Sequence, residues 1–105
     1  MAYAVIWSNE SLDDIDELAE TIARDSLFYA QRVVDALFAK GDSLNENPKR
    51  GRVVPELNHP AIREVFIYSY RLLYEITDDE VHILAIIHGR RLLDSLDDRF
   101  SLDSE

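Results

Sequence analysis

Arg71 stands in the middle of "YRLLYEI", a guanidinium between apolar neighbours in a strand-like stretch. A permanent cation placed there needs water, a carboxylate or an anionic ligand. It can hold a phosphate, or it can be a structural ion pair with Glu75 or Glu64. His88, in "VHILAIIHGRR", titrates near neutrality and can serve as general acid or base. A hydrogen-bonded residue at a strand end is the plainer reading of it. Arg90 and Arg91 follow at once, and with Lys49, Arg50, Arg52 and Arg63 they make a candidate phosphate or carboxylate patch. The chain's own acids compete for the same cations. Glu56, in "VPEL", is either an acid/base group or a solvated loop carboxylate.

Other chemistries find no support. His82 and His88 would sit about 20 Å apart at roughly 3.3 Å per residue, with His59 in a loop, so no metal is expected. No Gly-rich phosphate loop, Ser-His-Asp arrangement or nucleophile motif is present, and no cofactor is expected. The absence of cysteine excludes disulfides and thiolate metal sites and points to a reducing, cytoplasmic compartment.

The net charge of -10 is unevenly distributed. Residues 1–46 carry ten acids against three bases, and residues 92–105 carry five against one. Residues 47–91 reverse the balance, with seven bases against six acids. Nonspecific nucleic-acid binding is disfavoured by the total, while a local cationic site is compatible with the middle segment. At 105 residues and 47% hydrophobic content the chain fits one domain, 1–105, with a single core. No segment approaches the roughly 20 apolar residues that span a bilayer, so a soluble protein without a membrane partner is expected.

The elements that must position these residues follow from periodicity. "YAVIW", residues 3–7, reads as a short strand closed by Ser8 and Asn9. From Ser11, the residues Leu12, Ile15, Leu18, Ala19 and Ile22 recur at helical spacing, with Asp13, Asp14, Asp16, Glu17 and Glu20 off that stripe. Ser26 is placed to cap a second helix whose stripe is Ala30, Val33, Val34, Leu37, Gly41 and Leu44, with Gly41 permitting close packing. Pro48 ends it, and the two helices form an antiparallel hairpin. Residues 49–60 read as a loop or irregular edge. The period then becomes two, giving three strands with turns at Ser69 and at Asp78-Asp79, and a short C-terminal helix or frayed end after them. The expected fold is α+β: a small twisted antiparallel sheet with an N-terminal helical hairpin on one face, in the order β-α-α-β-β-β.

A two-residue turn at Asp78-Asp79 sets Tyr70, Leu72, Tyr74 and Ile76 opposite Ile87, Ala85, Ile83 and Val81. That apolar set is assigned to the helix-covered face. The opposite face, left open, then carries Arg71, Leu73 and Glu75 with Ile86, Leu84 and His82. His88 is placed there too, diagonal to Arg71 at roughly 7–8 Å.

The stretches "IWSNESLDDIDELAE", "NPKRGRVVPEL", "IREVFIYSYRLLYEI" and "VHILAIIHGRR", taken in order, resemble the RelE/ParE superfamily of bacterial type II toxin-antitoxin toxins across nearly the whole chain. The resemblance implies a cognate antitoxin as partner and one of two activities. ParE-like members poison DNA gyrase without being hydrolytic enzymes. RelE-like and YoeB-like members cut mRNA in the ribosomal A site, which requires activation of a ribose 2′-hydroxyl and stabilisation of charge at phosphate. On the RelE pattern Arg71 and Arg91 match two active-site arginines, while Arg63 and Glu64 stand where lysines are expected. On the YoeB-like pattern Glu56, Arg71 and His88 match the glutamate, arginine and histidine. The combination "GRVVPEL" with "IIHGRR" is most similar to ParE-type chains. It implies a gyrase-directed toxin with Arg52, Arg63, Arg90 and Arg91 as target or phosphate contacts. The acidity of the chain motivates a third class, a degenerate, non-toxic binding module. Oligomeric state is not legible.

Overall fold

In the computed structural model, residues 2–89 and residue 99 are described. Strand β1 (Ala4–Trp7) leads into helix α1 (Asn9–Ala23), followed by α2 (Leu27–Asp42). Two short 3₁₀ turns, Ser43–Asn45 and Pro48–Arg50, precede β2 (Arg52–Val53), β3 (Ile62–Ile67), β4 (Tyr70–Ile76) and β5 (Glu80–His88). The expected α+β arrangement is present: two helices against a sheet, here of five strands in the order β1-β5-β4-β3-β2. Two features differ from the expectation. The sheet is mixed, because β1 pairs in parallel with β5, and the segment 49–60 contributes the two-residue edge strand β2. The expected C-terminal helix, Arg90 and Arg91 lie outside the described residues.

Both helices begin where their capping residues dictate. Ser8 Oγ accepts from the Ser11 N–H at 3.0 Å, and Ser26 Oγ accepts from the Tyr29 N–H at 3.1 Å. The α2 stripe is buried at Ala30, Val33, Leu37 and Gly41, and Leu44 continues it into the first 3₁₀ turn. A Cβ added at Gly41 would run into the Trp7 ring, so the expected close packing is the seating of that indole. Phe38 flanks the ring at a centroid distance of 4.8 Å, and Trp7 Nε1 donates to Asp42 at 3.1 Å.

The β4-β5 hairpin matches the expected register near its turn, pairing Ile76 with Val81, Glu75 with His82 and Tyr74 with Ile83. It then shifts. Leu73 pairs with Ala85, leaving Leu84 as an extra residue in a β-bulge. One inserted residue moves everything beyond it to the opposite face. Arg71 therefore pairs with Ile87, and Tyr70 with His88. The expected assignment of Ile86 to the open face and of Ala85 and Ile87 to the helix face is thus overturned: Ile86 joins the helix-side core, and Ala85 and Ile87 the other.

The bulge sits where β1 runs out. The last β1 pairing is Trp7 with Ile83, and Ser8 N–H donates to Ile83 O at 3.0 Å. Past that point the β5 backbone needs other partners, and α1 supplies one, as Asp14 accepts the Ile86 N–H at 3.0 Å. Asp14, expected off the apolar stripe, is half-buried for this reason.

Nor is the second face open. Val54, Ile62, Leu73, Leu84, Ala85 and Ile87 form a buried cluster with Leu57 packed against it, while Ile15, Val33, Leu37, Leu72, Tyr74 and Ile83 belong to the core under the helices. The alternation within β3 and β4 places Arg71 and Glu64 on the second face and Tyr70, Leu72 and Tyr74 on the first.

Candidate functional site

Arg71 is buried at 4% exposure and fully engaged. Its Nε donates to Glu64 Oε1 at 2.6 Å, and its two terminal nitrogens donate to the two oxygens of Glu56 at 2.9 Å each. Glu64, at 1% exposure, also accepts from Arg52 Nε. The result is a chain of alternating charge, Arg52-Glu64-Arg71-Glu56, with no formal excess of either sign.

Strand geometry explains how it forms. Glu64 lies opposite Arg52 across β2-β3, and Arg71 lies on β4 opposite Phe66, one pair along the same face from Glu64. Glu56 arrives from the turn after β2, where the N–H groups of Leu57 and Asn58 donate to Val54 O at 3.1 and 2.8 Å and Asn58 takes a left-handed φ of 48°. Asn is among the residues that tolerate that conformation.

The electrostatics follow the hydrogen bonds. The Arg71 guanidinium holds the Glu56 carboxyl below its ordinary value of 4.5, partly opposed by burial. The hydrogen bond to Glu56 in turn raises Arg71, against the desolvation that burial imposes. Because the folded Glu56 value is depressed, its contribution to stability is present above the unfolded value and is lost as pH falls through the folded one. Acid titration of unfolding is expected to show a shallower loss of stability below about pH 4.5 in Glu56→Gln than in the native chain. Equal slopes would show that the Glu56 arm contributes nothing to folding.

Arg63 occupies the first face, with its guanidinium donating to Pro60 O at 3.1 Å and Gly51 O at 2.9 Å. Beneath it Tyr74 is fully buried. Its hydroxyl donates to Pro48 O at 2.5 Å and accepts from the Gly51 N–H at 3.0 Å, and burial raises its pKa. Arg50 donates to Ser43 Oγ at 2.9 Å. Arg52, with 59% of its side chain exposed, lies over the half-exposed Phe66 ring at 5.3 Å.

The candidate residues are therefore divided. Glu56, Arg71 and Arg52 are brought together with Glu64, a residue the sequence offered only as a structural partner for Arg71. His88 is not brought to them. The expected convergence of His88 with Arg71 is overturned by the bulge, which turns His88 to the first face, where its ring meets Tyr70 edge-on at 6.0 Å. The same shift separates the two β5 histidines: His82 shares a face with Glu75 and contacts Glu80 at 2.9 Å. His59 Nδ1 accepts from the Ala61 N–H at 3.2 Å. Among the described residues no group of three or more His, Cys, Asp or Glu is placed to hold a metal ion, and no helix is long and apolar enough to cross a membrane.

A protein-family model described as the ParE toxin of type II toxin-antitoxin system, parDE, matches residues 5–93. Toxin RelE2 from Caulobacter vibrioides is 35% identical over 89 residues, which cover 84% of this chain and 97% of the relative. Among solved structures, the chromosomal ParDE TA system from P. aeruginosa superposes with a TM-score of 0.69 at 16% identity, covering 83% of this chain and 96% of that one. The toxin-antitoxin complex RelBE2 from Mycobacterium tuberculosis gives 0.63 at 22% identity, with 84% and 99% covered. An arginine-to-alanine mutant of E. coli toxin RelE in the free state gives 0.65 at 18%, with 94% of each chain covered. These structures share the fold with the chain.

Proposed function

The chain belongs to the ParE toxin family of type II toxin-antitoxin systems, within the RelE/ParE superfamily, and from that premise we propose that it acts by binding its target, with DNA gyrase as that target, and not by cutting RNA. One observation carries the choice. The Glu56, Arg71 and His88 set that cleavage would need is not assembled: both terminal nitrogens of the Arg71 fork are taken by a carboxylate, and His88 is on the other side of the sheet. A general base must come within hydrogen-bond reach of the proton it removes, and a phosphate needs free donors. A cognate antitoxin completes the reading. It is supported by the structural relatives, one from a ParDE TA system and one a RelBE2 toxin-antitoxin complex.

The purified protein in excess is expected to lower supercoiling by gyrase and to raise the level of cleavage complexes. Unchanged supercoiling and cleavage-complex levels would end the gyrase reading. A ribosome-dependent mRNA endonuclease is the second reading, favoured by the name of the 35% identical relative, Toxin RelE2. It calls for mRNA cleavage in a translation extract that disappears in His88→Ala and Arg71→Ala.

A further inference from the structure

The acids and bases of this chain are separated in space as well as in sequence. Helix α1 carries six acids and no base. It lies over β5, where Asp14 accepts the Ile86 N–H. Strand β2 stands at the far edge of the sheet, with β4 and β3 between it and β5. Three strand spacings come to roughly 14 Å. That exceeds the screening distance of about 8 Å at physiological ionic strength. The α1 acids therefore dominate the field the molecule presents from afar, and they leave the β2 edge its own charge in close contact.

At that edge Lys49, Arg50 and Arg52 fall close together in the chain, and Arg63 stands on β3 opposite Val53. Arg52 is paired with Glu64. Lys49, Arg50 and Arg63 have no carboxylate within ion-pair distance among the described residues. The two arginines are nevertheless held, by neutral acceptors. Arg63 donates to Pro60 O and Gly51 O, and Arg50 donates to Ser43 Oγ. These bonds orient the guanidiniums without neutralising them, and they leave donors on each fork unused. Burial raises the Tyr74 pKa, and the charges of Arg63 and Arg50 both oppose that rise, so the two cations act on one hydroxyl. Oriented, uncompensated guanidiniums at a strand edge are suited to phosphate contact.

We propose that the β2 edge, through Lys49, Arg50 and Arg63, grips the phosphodiester backbone of duplex DNA while gyrase holds that DNA. The contact rests on the gyrase reading above, since gyrase supplies the duplex. Net charge makes it conditional. At -10 the chain is repelled by free duplex at long range, whereas docking on gyrase brings the edge within screening distance of the phosphates. Duplex DNA presents one charge per about 1.7 Å of axis, a density that can engage all three cations together. Contacts made only when DNA is present stabilise the DNA-bound complex over DNA-free gyrase. The edge thus recognises the loaded form of the target.

The test measures binding of the immobilised full chain to gyrase alone, to gyrase loaded with a DNA duplex, and to the duplex alone, across a range of salt. The native chain is expected to ignore the free duplex and to bind loaded gyrase about tenfold or more tightly than empty gyrase. Lys49→Gln/Arg50→Gln changes exposed side chains only, and Arg63→Gln is added to it in a second variant, with melting temperatures confirming that both fold. Both variants are expected to lose the DNA-dependent gain and to keep their affinity for empty gyrase. Their log K should also fall less steeply with log salt, by about 0.9 for each phosphate contact removed. Arg24→Gln, the same change of charge at the exposed end of α1, should leave the gain intact. An undiminished gain in the folded double and triple variants would overturn the proposal. So would an equal loss in Arg24→Gln, which assigns the effect to net charge, or an equal loss on empty gyrase, which assigns the edge to an acidic protein surface. Comparable binding of the free duplex would overturn it as well. Each of these leaves gyrase as the target, whereas no binding to gyrase in either form ends both readings.

Discussion

Arg71→Met is expected to lower the stability of the chain by about 3–5 kcal/mol, the range found when one partner of a buried ion pair is removed. The cost arises less from the missing hydrogen bonds than from the charges that stay behind. Glu64 would stay buried at 1% exposure, with the half-exposed Arg52 as its remaining partner in the clamp, and Glu56 would have no fork to receive it. For a domain of this size the loss corresponds to a fall of at least about 10 °C in melting temperature. The double variant Glu64→Leu/Arg71→Met separates this account from simple loss of packing. Replacing both charges by apolar groups of similar volume removes the stranded carboxylate, so the double variant should recover much of the stability lost in the single one. Urea unfolding of the two variants and the native chain measures both quantities. A double variant no more stable than Arg71→Met would show that the network contributes through packing and not through charge.

The second large effect is expected at Gly51, which joins this network to the core under the helices. A Cβ there would lie 2.5 Å from the Glu64 carbonyl oxygen and 2.5 Å from the Tyr74 hydroxyl. Neither neighbour can give way cheaply. The carbonyl belongs to the β2-β3 pair, and the hydroxyl is held by Pro48 and by Gly51 itself. Gly51→Ala must push β2 off β3 or break the Tyr74 hydrogen bonds, and the expected loss is about 3 kcal/mol, the upper end of ordinary overpacking. Chemical denaturation would register it as a lower midpoint, and the Tyr74 environment would change in near-ultraviolet circular dichroism. A variant within about 0.5 kcal/mol of the native chain, the range of neutral surface substitutions, would show that the strand edge yields freely.

Much of the architecture was legible because it depends on neighbours in the chain. The Ser26 cap, the apolar stripes of α1 and α2, the glycine on the α2 stripe and the turn at Asp78-Asp79 are local signals, and each has the expected consequence in the fold. The parallel pairing of β1 with β5 was not legible, because it joins residues near position 5 to residues near position 81 with no local signature. The bulge at Leu84 was invisible for a related reason. "VHILAIIH" is apolar at nearly every position, so the alternation that reports register is missing where the register changes.

That one residue decided the candidate site. The sequence by itself determined which groups were available: an acidic chain with a basic middle segment, a mid-strand Arg71 needing a partner, a Glu56 in the loop before the sheet, and a His88 at the end of the last strand. It also carried the likeness to the RelE/ParE toxins. Only the tertiary structure decided which of these groups meet. Strand pairing put Glu64 between Arg52 and Arg71, the turn after β2 brought Glu56 onto the Arg71 fork, and the bulge sent His88 to the other face to join Tyr70. Residue type sets what a side chain can do, whereas its partner is set by strand register and by the face to which each residue is turned. A single inserted residue reverses that face without altering composition.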